Sequence, residues 1–263
     1  MQPEVPQVRL YLDQTLASGA AVALDRDRTH YLRDVMRLGP GDAVAAFNGR
    51  DGEWLGKIEA LEKRSAALRM ERRLAPQPEE SDLWLLFAPL KRGPGDLLVT
   101  KAVELGASAL IPVMTARTSV SRVRKERMRA LAIEASEQCG RCDVPETREP
   151  ARLPDLLDDW PGDRRLMFCD ESGRGLPIAD YLIGVRNDEI EVPRAVLIGP
   201  EGGFTEEERA MLRRQPFVVP VDLGPRLLRA ETAAIAALVC WQAVIGDWRP
   251  SEAVPVPAAA ARA

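Results

Sequence analysis

The sequence predicts an α/β protein in which a domain with a mainly parallel sheet follows a small β-barrel. Three observations carry this. Across a polar, proline-containing stretch, Ala75-Pro-Gln-Pro-Glu-Glu-Ser81, the pattern changes from short strands to apolar runs separated by helix-like segments. Runs such as Leu83 to Ala88 and Ala109 to Met114 are continuously apolar, as in strands buried on both faces. Two glycine-marked segments near the C-terminus each follow such a run and lead into a helix-like segment, the order of strand, loop and helix in an open α/β sheet.

Before the linker, Val8 to Leu12, Ala43 to Phe47, Trp54 to Leu61 and Ala67 to Leu74 read as strands, and Thr29 to Arg37 as a helix. Asn48-Gly49 and Asp51-Gly52 supply turns. Residues 1–74 are therefore expected to close as a barrel, with residues 75–81 as the linker. Beyond it, Asp96 to Leu105 and Lys125 to Cys139 read as helices, and Leu166 to Cys169, Arg194 to Ile198 and Phe217 to Val221 as strands. Thr205 and Glu208 have the spacing of a capping box and open a further helix. The segment Ala230 to Asp247 is apolar nearly all round, so it must be buried in the core or against another subunit. Residues 82–248 form the second domain, and residues 249–263, rich in proline and alanine, are expected to be a disordered tail.

Composition agrees. The chain has 263 residues and 46% hydrophobic content, enough for one or two cores, and no run long enough for a membrane span. Its N-terminus lacks the basic start and apolar stretch of a signal peptide, which makes the cytoplasm the expected compartment. Four cysteines are too few for a disulfide scaffold. Cys139-Gly-Arg-Cys142 has C-x-x-C spacing, but a zinc site needs two more ligands, and only Cys169, Cys240 and His30 remain, all far away in sequence. No metal is expected. The net charge of -4 leans against a nucleic-acid partner. Distribution leans the other way: Arg117, Arg122, Arg124, Lys125, Arg127 and Arg129 fall within thirteen residues that hold one acid, Glu126. Such a run is either a solvated helix face or a surface for backbone phosphates.

The glycine-marked segments are Leu197-Ile-Gly-Pro-Glu-Gly-Gly-Phe-Thr205 and Leu223-Gly-Pro-Arg-Leu-Leu-Arg-Ala-Glu-Thr-Ala233. Neither has the spelling of a dinucleotide or P-loop phosphate cradle. The helix after the first opens with Glu206, Glu207 and Glu208, the wrong charge for phosphate. A cationic or zwitterionic ligand suits this neighbourhood better.

The two segments, with Lys101-Ala-Val-Glu-Leu-Gly106, Pro112, Glu134-Ala-Ser-Glu-Gln138, Arg141, Pro145, Arg9-Leu-Tyr-Leu and His30-Tyr-Leu-Arg-Asp-Val-Met-Arg37 ahead of Gly41-Asp42, fall in one order. That ordered set resembles the 16S ribosomal RNA uridine-N3 methyltransferases of the SPOUT superfamily, over nearly the whole chain up to Trp248. The resemblance implies a trefoil-knotted, parallel-sheet methyltransferase domain and a PUA-like N-terminal barrel that helps hold RNA. It implies a homodimer, S-adenosylmethionine as co-substrate without a metal, and 16S ribosomal RNA, in the 30S subunit, as acceptor, with no membrane partner.

Carried onto this chain, the resemblance assigns the donor to backbone around Leu197, Ile198, Gly199, Gly202, Gly203, Leu223, Gly224 and Leu228. Arg229 is the candidate for stabilising the uracil or orienting RNA, and Glu231 the candidate proton acceptor. Arg9, His30, Arg33, Arg37, Arg122, Arg124 and Lys125 are candidate RNA contacts. Each has a plainer reading: the glycines as turn formers, Arg229 as a helix-start arginine paired with Glu231, and Glu231 as a helix N-terminal carboxylate. Chemically, uracil N3 carries a proton that must leave before or during transfer, and a cation near the carbonyls would stabilise the resulting charge. Two alternatives stay open: a SPOUT enzyme acting on a ribose 2′-oxygen or on transfer RNA, and an RNA-binding assembly factor without catalysis. The P-E-G-G-F and L-R-x-E-T-A spellings favour base methylation.

Overall fold

A computed structural model describes residues 6–79, 81–185 and 192–248, so the tail expected over 249–263 lies outside the described residues. These residues gather into two compact units. One combines the N-terminal segment with residues 126–146; the other takes the rest.

The first unit is a five-stranded sheet wrapped round one core. Its strands are β1 (Arg9–Tyr11), β2 (Ala21–Leu24), β3 (Ala43–Phe47), β4 (Glu53–Leu61) and β5 (Ala66–Ala75), in the order β1-β3-β4-β5-β2. The β1 and β3 pair is parallel and the others antiparallel. Register shifts between β4 and β5 curl the sheet, as bulges do. Leu10, Val22, Leu32, Val44, Ile58 and Leu68 fill the core. Strand β2 escaped the sequence reading because its two exposed positions are alanines, which hide the alternation of exposed and buried residues.

The helix expected over Thr29 to Arg37 also differs. It begins earlier, as α1 (Arg26–His30), because Asp25 caps it: the Arg28 N–H donates to the Asp25 carboxylate at 2.8 Å. It then widens into a π-helical turn, Tyr31–Val35, closed by the Met36 N–H donating to the Tyr31 carbonyl. Arg37 ends it at φ 57°, in the left-handed region.

The second unit begins with β6 (Leu83–Phe87), α2 (Arg92–Glu104), β7 (Ala109–Met114) and α3 (Lys125–Cys139), most of α3 belonging to the first unit. Helix α2 starts four residues before the expected Asp96, since Pro94 falls in the first turn, where a missing N–H costs nothing. There follow β8 (Glu146–Thr147), β9 (Ala151–Arg152), α4 (Leu153–Asp158), β10 (Arg165–Cys169), β11 (Leu176–Pro177), α5 (Ile178–Ile183), β12 (Arg194–Ile198), α6 (Glu206–Arg213), β13 (Val218–Asp222) and α7 (Ala230–Val244).

The sheet order β11-β13-β10-β12-β6-β7 is parallel throughout. Strand β12 is buried at every position, as its apolar run from Ala195 to Ile198 requires, with Arg194 buried at its start. Alternate residues face two layers: Ala195 and Leu197 join Phe168, Phe204, Leu153 and Leu212 in one core. Against the other face lies α7, which also packs on α2 and α5. Gln242 of α7 is buried and donates to the Leu105 carbonyl at 2.8 Å, fixing α7 to the end of α2. Among the described residues no helix is long and apolar enough to cross a membrane.

Candidate functional site

Strands β13, β10 and β12 are neighbours and parallel, so their carboxyl ends deliver three loops to one edge of the sheet. That edge is where open α/β sheets bind ligands. The loops are Asp170–Gly173 after β10, Gly199–Thr205 after β12 and Leu223–Arg229 after β13.

The loop after β12 is held from three sides. Gly203 sits at φ 65°, and a side chain there would lie 2.4 Å from the Glu171 carboxylate. That carboxylate accepts the Phe204 N–H at 2.9 Å and an Arg209 N–H at 2.8 Å. Gly199 gives room to the Phe204 ring, which is fully buried and meets Phe168 edge-on at 5.0 Å. From the other side, Arg117 donates to the Gly202 carbonyl at 2.8 Å. The capping box of α6 forms as its spelling predicts: Glu208 N–H donates to Thr205 Oγ1 at 3.2 Å, and Thr205 N–H to the Glu208 carboxylate at 2.9 Å. The same carboxylate accepts the Ala116 N–H at 2.7 Å, so the segment leading to Arg122 and Arg124 is pinned beside this loop.

The loop after β10 is anchored by Asp170, whose buried carboxylate accepts from Arg213 and from the Ser172 N–H. Between this loop and Asp222–Leu228 opens a cleft of about 370 Å³, closed at its back by Cys169 and by Ala233 of α7. Three carboxylates, Asp170, Glu171 and Asp222, line it against one arginine, Arg226. Burial, with Cys240 close by, pushes the Cys169 thiol far up, so it remains protonated. Gly224 takes φ 104° and donates to the Asp222 carboxylate at 3.0 Å, which turns the chain sharply over the cleft.

The structure thus brings Leu223, Gly224 and Leu228 together on the cleft, with Gly199, Gly202 and Gly203 in the loop next to it and Leu197 and Ile198 buried in β12. Sequence reasoning missed Asp170, Glu171, Ser172 and Gly173 in the loop after β10, and Pro225 and Leu227 on the rim. A signal was present, because Asp-Glu-Ser-Gly follows the strand run Leu166 to Cys169 without a break. Arg229 caps α7 by position only, with no hydrogen bond from its side chain to the helix start. Among the described residues neither Arg226 nor Arg229 is in an ion pair, so the pairing of Arg229 with Glu231 is not formed. Glu231 stands in the first turn of α7.

The candidate RNA contacts separate into two kinds. Arg9 stands apart: its guanidinium donates to the carbonyls of Ser136, Glu137, Gly140 and Arg141 and pairs with Glu53 at 2.6 Å. Its donors are taken up at the carboxyl end of α3 and by Glu53 of β4, which favours a structural role over a phosphate contact. His30 and Arg33 both contact Asp34, at 2.5 and 2.7 Å. Chiefly through the Arg33 hydrogen bond, the Asp34 carboxyl is held down to about 2, so it offsets the positive charge beside it. Arg37, Arg122 and Arg124 carry no such internal partner among the described residues, Arg122 and Arg124 being exposed, while Lys125 meets Glu149 at 3.0 Å.

A family model described as an RNA methyltransferase domain matches residues 77–242, and one described as an RNA methyltransferase PUA domain matches residues 24–71. The ribosomal RNA small subunit methyltransferase E of Rickettsia conorii is 29% identical over 231 residues, 88% of this chain and 93% of its own. The enzyme of that name from Neisseria gonorrhoeae, solved bound to S-adenosylmethionine, aligns with a TM-score of 0.81 at 27% identity, covering 92% of this chain and 99% of that one. A Legionella pneumophila protein, also solved with S-adenosylmethionine, aligns at 0.78 and 29% identity, over 91% and 98%.

Proposed function

We propose, from the premise that this chain belongs to the RNA methyltransferase family, that it transfers a methyl group from S-adenosylmethionine to N3 of a uridine in small-subunit ribosomal RNA. One observation carries the reading. The cleft at the carboxyl ends of β10 and β13 is walled by the same Leu223 to Leu228 segment whose spelling marks the family, and structures similar along nearly their whole length hold the donor.

The cleft fits that donor. Its volume lies within the range of small-molecule sites, roughly 300–1,000 Å³. Its walls combine peptide groups with carboxylates, which favour a ligand bearing an ammonium and a sulfonium over a phosphate. When bound, S-adenosylmethionine supplies the electrophilic methyl group, so the protein's task is alignment. Leu223, Gly224 and Leu228 present backbone to the ligand, and the loop from Gly199 to Gly203, reached from Leu197 and Ile198, shapes the adjoining wall. Arg229, exposed and without an ion pair among the described residues, stands free to stabilise negative charge on the uracil carbonyls as N3 loses its proton. Glu231, at the same helix start, is the group proposed to receive that proton.

His30, Arg33, Arg37, Arg122, Arg124 and Lys125 are proposed to contact RNA, while the internal contacts of Arg9 support a structural role for it instead. The same reading includes a homodimer, a trefoil knot in residues 82–248, a PUA-like barrel in residues 1–74, a linker over 75–81, an assembled or nearly assembled 30S particle as substrate, and a cytoplasmic location. The test is methyl transfer from labelled S-adenosylmethionine to 30S subunits taken from cells lacking this activity, with the product nucleoside identified by mass spectrometry. N3-methyluridine, lost on Arg229→Ala, is the expected result. A ribose-methylated product would overturn the target atom.

A further inference from the structure

Leu227 is 86% exposed, although it lies on the rim of the cleft between two leucine positions, Leu223 and Leu228, that are partly covered. A single exposed leucine is ordinary on a protein surface. The setting of this one is not. It stands at the lip of the donor cleft, in the loop that turns from β13 into α7, flanked by the exposed Arg226 and Arg229, neither in an ion pair among the described residues. An apolar side chain held between two free cations fits a surface that offers both negative charge and an apolar face. A nucleotide does so, with its phosphates and the plane of its base.

The chemistry explains why such a contact is needed. N3 lies on the pairing edge of uracil, so the base must be presented unpaired, and a base drawn out of its stack loses apolar contact with its neighbours. Proteins that unstack bases compensate with an apolar wedge. We propose that Leu227 packs on a nucleobase of the acceptor RNA at the target site, with Arg226 on a flanking phosphate and Arg229 left to the uracil carbonyls, and so positions the target over the donor. This rests on the reading that RNA is the acceptor. A second copy of the chain is the less fitting occupant, because its own rim presents the same two arginines.

Two measurements test this. Leu227→Ala should lower kcat/KM for 30S subunits about tenfold, the loss of roughly one apolar base contact, a larger factor than any change in donor affinity read by calorimetry; Leu227→Met should restore most of it. Leu227→p-benzoylphenylalanine, irradiated with 30S subunits and S-adenosylhomocysteine, should cross-link to RNA at a position mapped by reverse transcription. A wild-type transfer rate in Leu227→Ala, a cross-link to a second copy of the chain alone, or no cross-link to RNA would overturn the assignment. Cross-linking does not depend on which atom is methylated, so a methyl found elsewhere than N3 would sink that reading and leave Leu227 in place.

Discussion

Glu171 accepts the Phe204 backbone N–H at 2.9 Å across 33 residues of chain, so one carboxylate in the loop after β10 fixes the course of the loop after β12. The same oxygen takes Arg209 and fills the space that a side chain on Gly203 would need. Glu171→Ala should therefore loosen the loop from Gly199 to Thr205 and weaken S-adenosylmethionine binding by about tenfold, the effect of one charge-assisted hydrogen bond of about 1.5 kcal/mol. Glu171→Gln keeps an acceptor and should recover part of the loss. Calorimetric titration of the donor checks both variants, and equal affinity for all three proteins would refute the linkage.

Arg9 gives the opposite expectation. Its contacts with four carbonyls and Glu53 make it a closing bolt for α3, so Arg9→Ala should lower unfolding stability by about 2–4 kcal/mol. The salt dependence of RNA binding by the folded protein should not change, whereas losing a phosphate contact would flatten it. Denaturant unfolding and a salt series separate the two roles.

The cysteines should differ sharply in reactivity. Cys139 is exposed, while Cys169 is buried at the back of the cleft with its thiol pushed far up. Iodoacetamide at mildly alkaline pH should label Cys139 at least about tenfold faster, with Cys169 labelled only after unfolding. Peptide mass spectrometry of a labelling time course reads this directly.

Asp51 makes the first unit acid-sensitive. Its carboxylate accepts the Leu16 N–H at 2.8 Å and Asn48 at 2.7 Å, and these bonds, the backbone one first, lower its pKa. A lowered folded-state pKa contributes stability that is present above the ordinary carboxylate range and lost as pH falls through the folded value. Melting temperature should fall below about pH 4 more steeply in the wild type than in Asp51→Ala. Parallel acid profiles would show that Asp51 does not contribute.

Much of this was legible in the chain. Strands β6, β7, β10 and β12 could be read because near-complete burial leaves apolar runs, and β12 matches its expected bounds residue for residue, whereas the two-residue strands β8, β9 and β11 left no such run. The start of α6 was visible because capping-box partners lie three residues apart. What stayed hidden depends on partners far away in sequence. Glu171 reads as an ordinary turn acid until Phe204 is seen beside it, and Arg9 as a surface cation until the end of α3 arrives more than a hundred residues later. Leu227 escaped for another reason: exposure is a property of the surface, which no periodicity encodes for a loop.

The placement of β12 between β6 and β10 bears on how the chain is made. A ribosome delivers both neighbours first, and Leu197 pairs with Leu86, about a hundred residues earlier. Until β12 emerges, the facing edges of β6 and β10 have no partner in the gap between them, and open strand edges invite pairing with other chains. Closure from so distant a contact is slow. An aggregation-prone interval therefore lies between the emergence of residues 165–169 and that of residues 194–198, when a chaperone would protect the nascent protein.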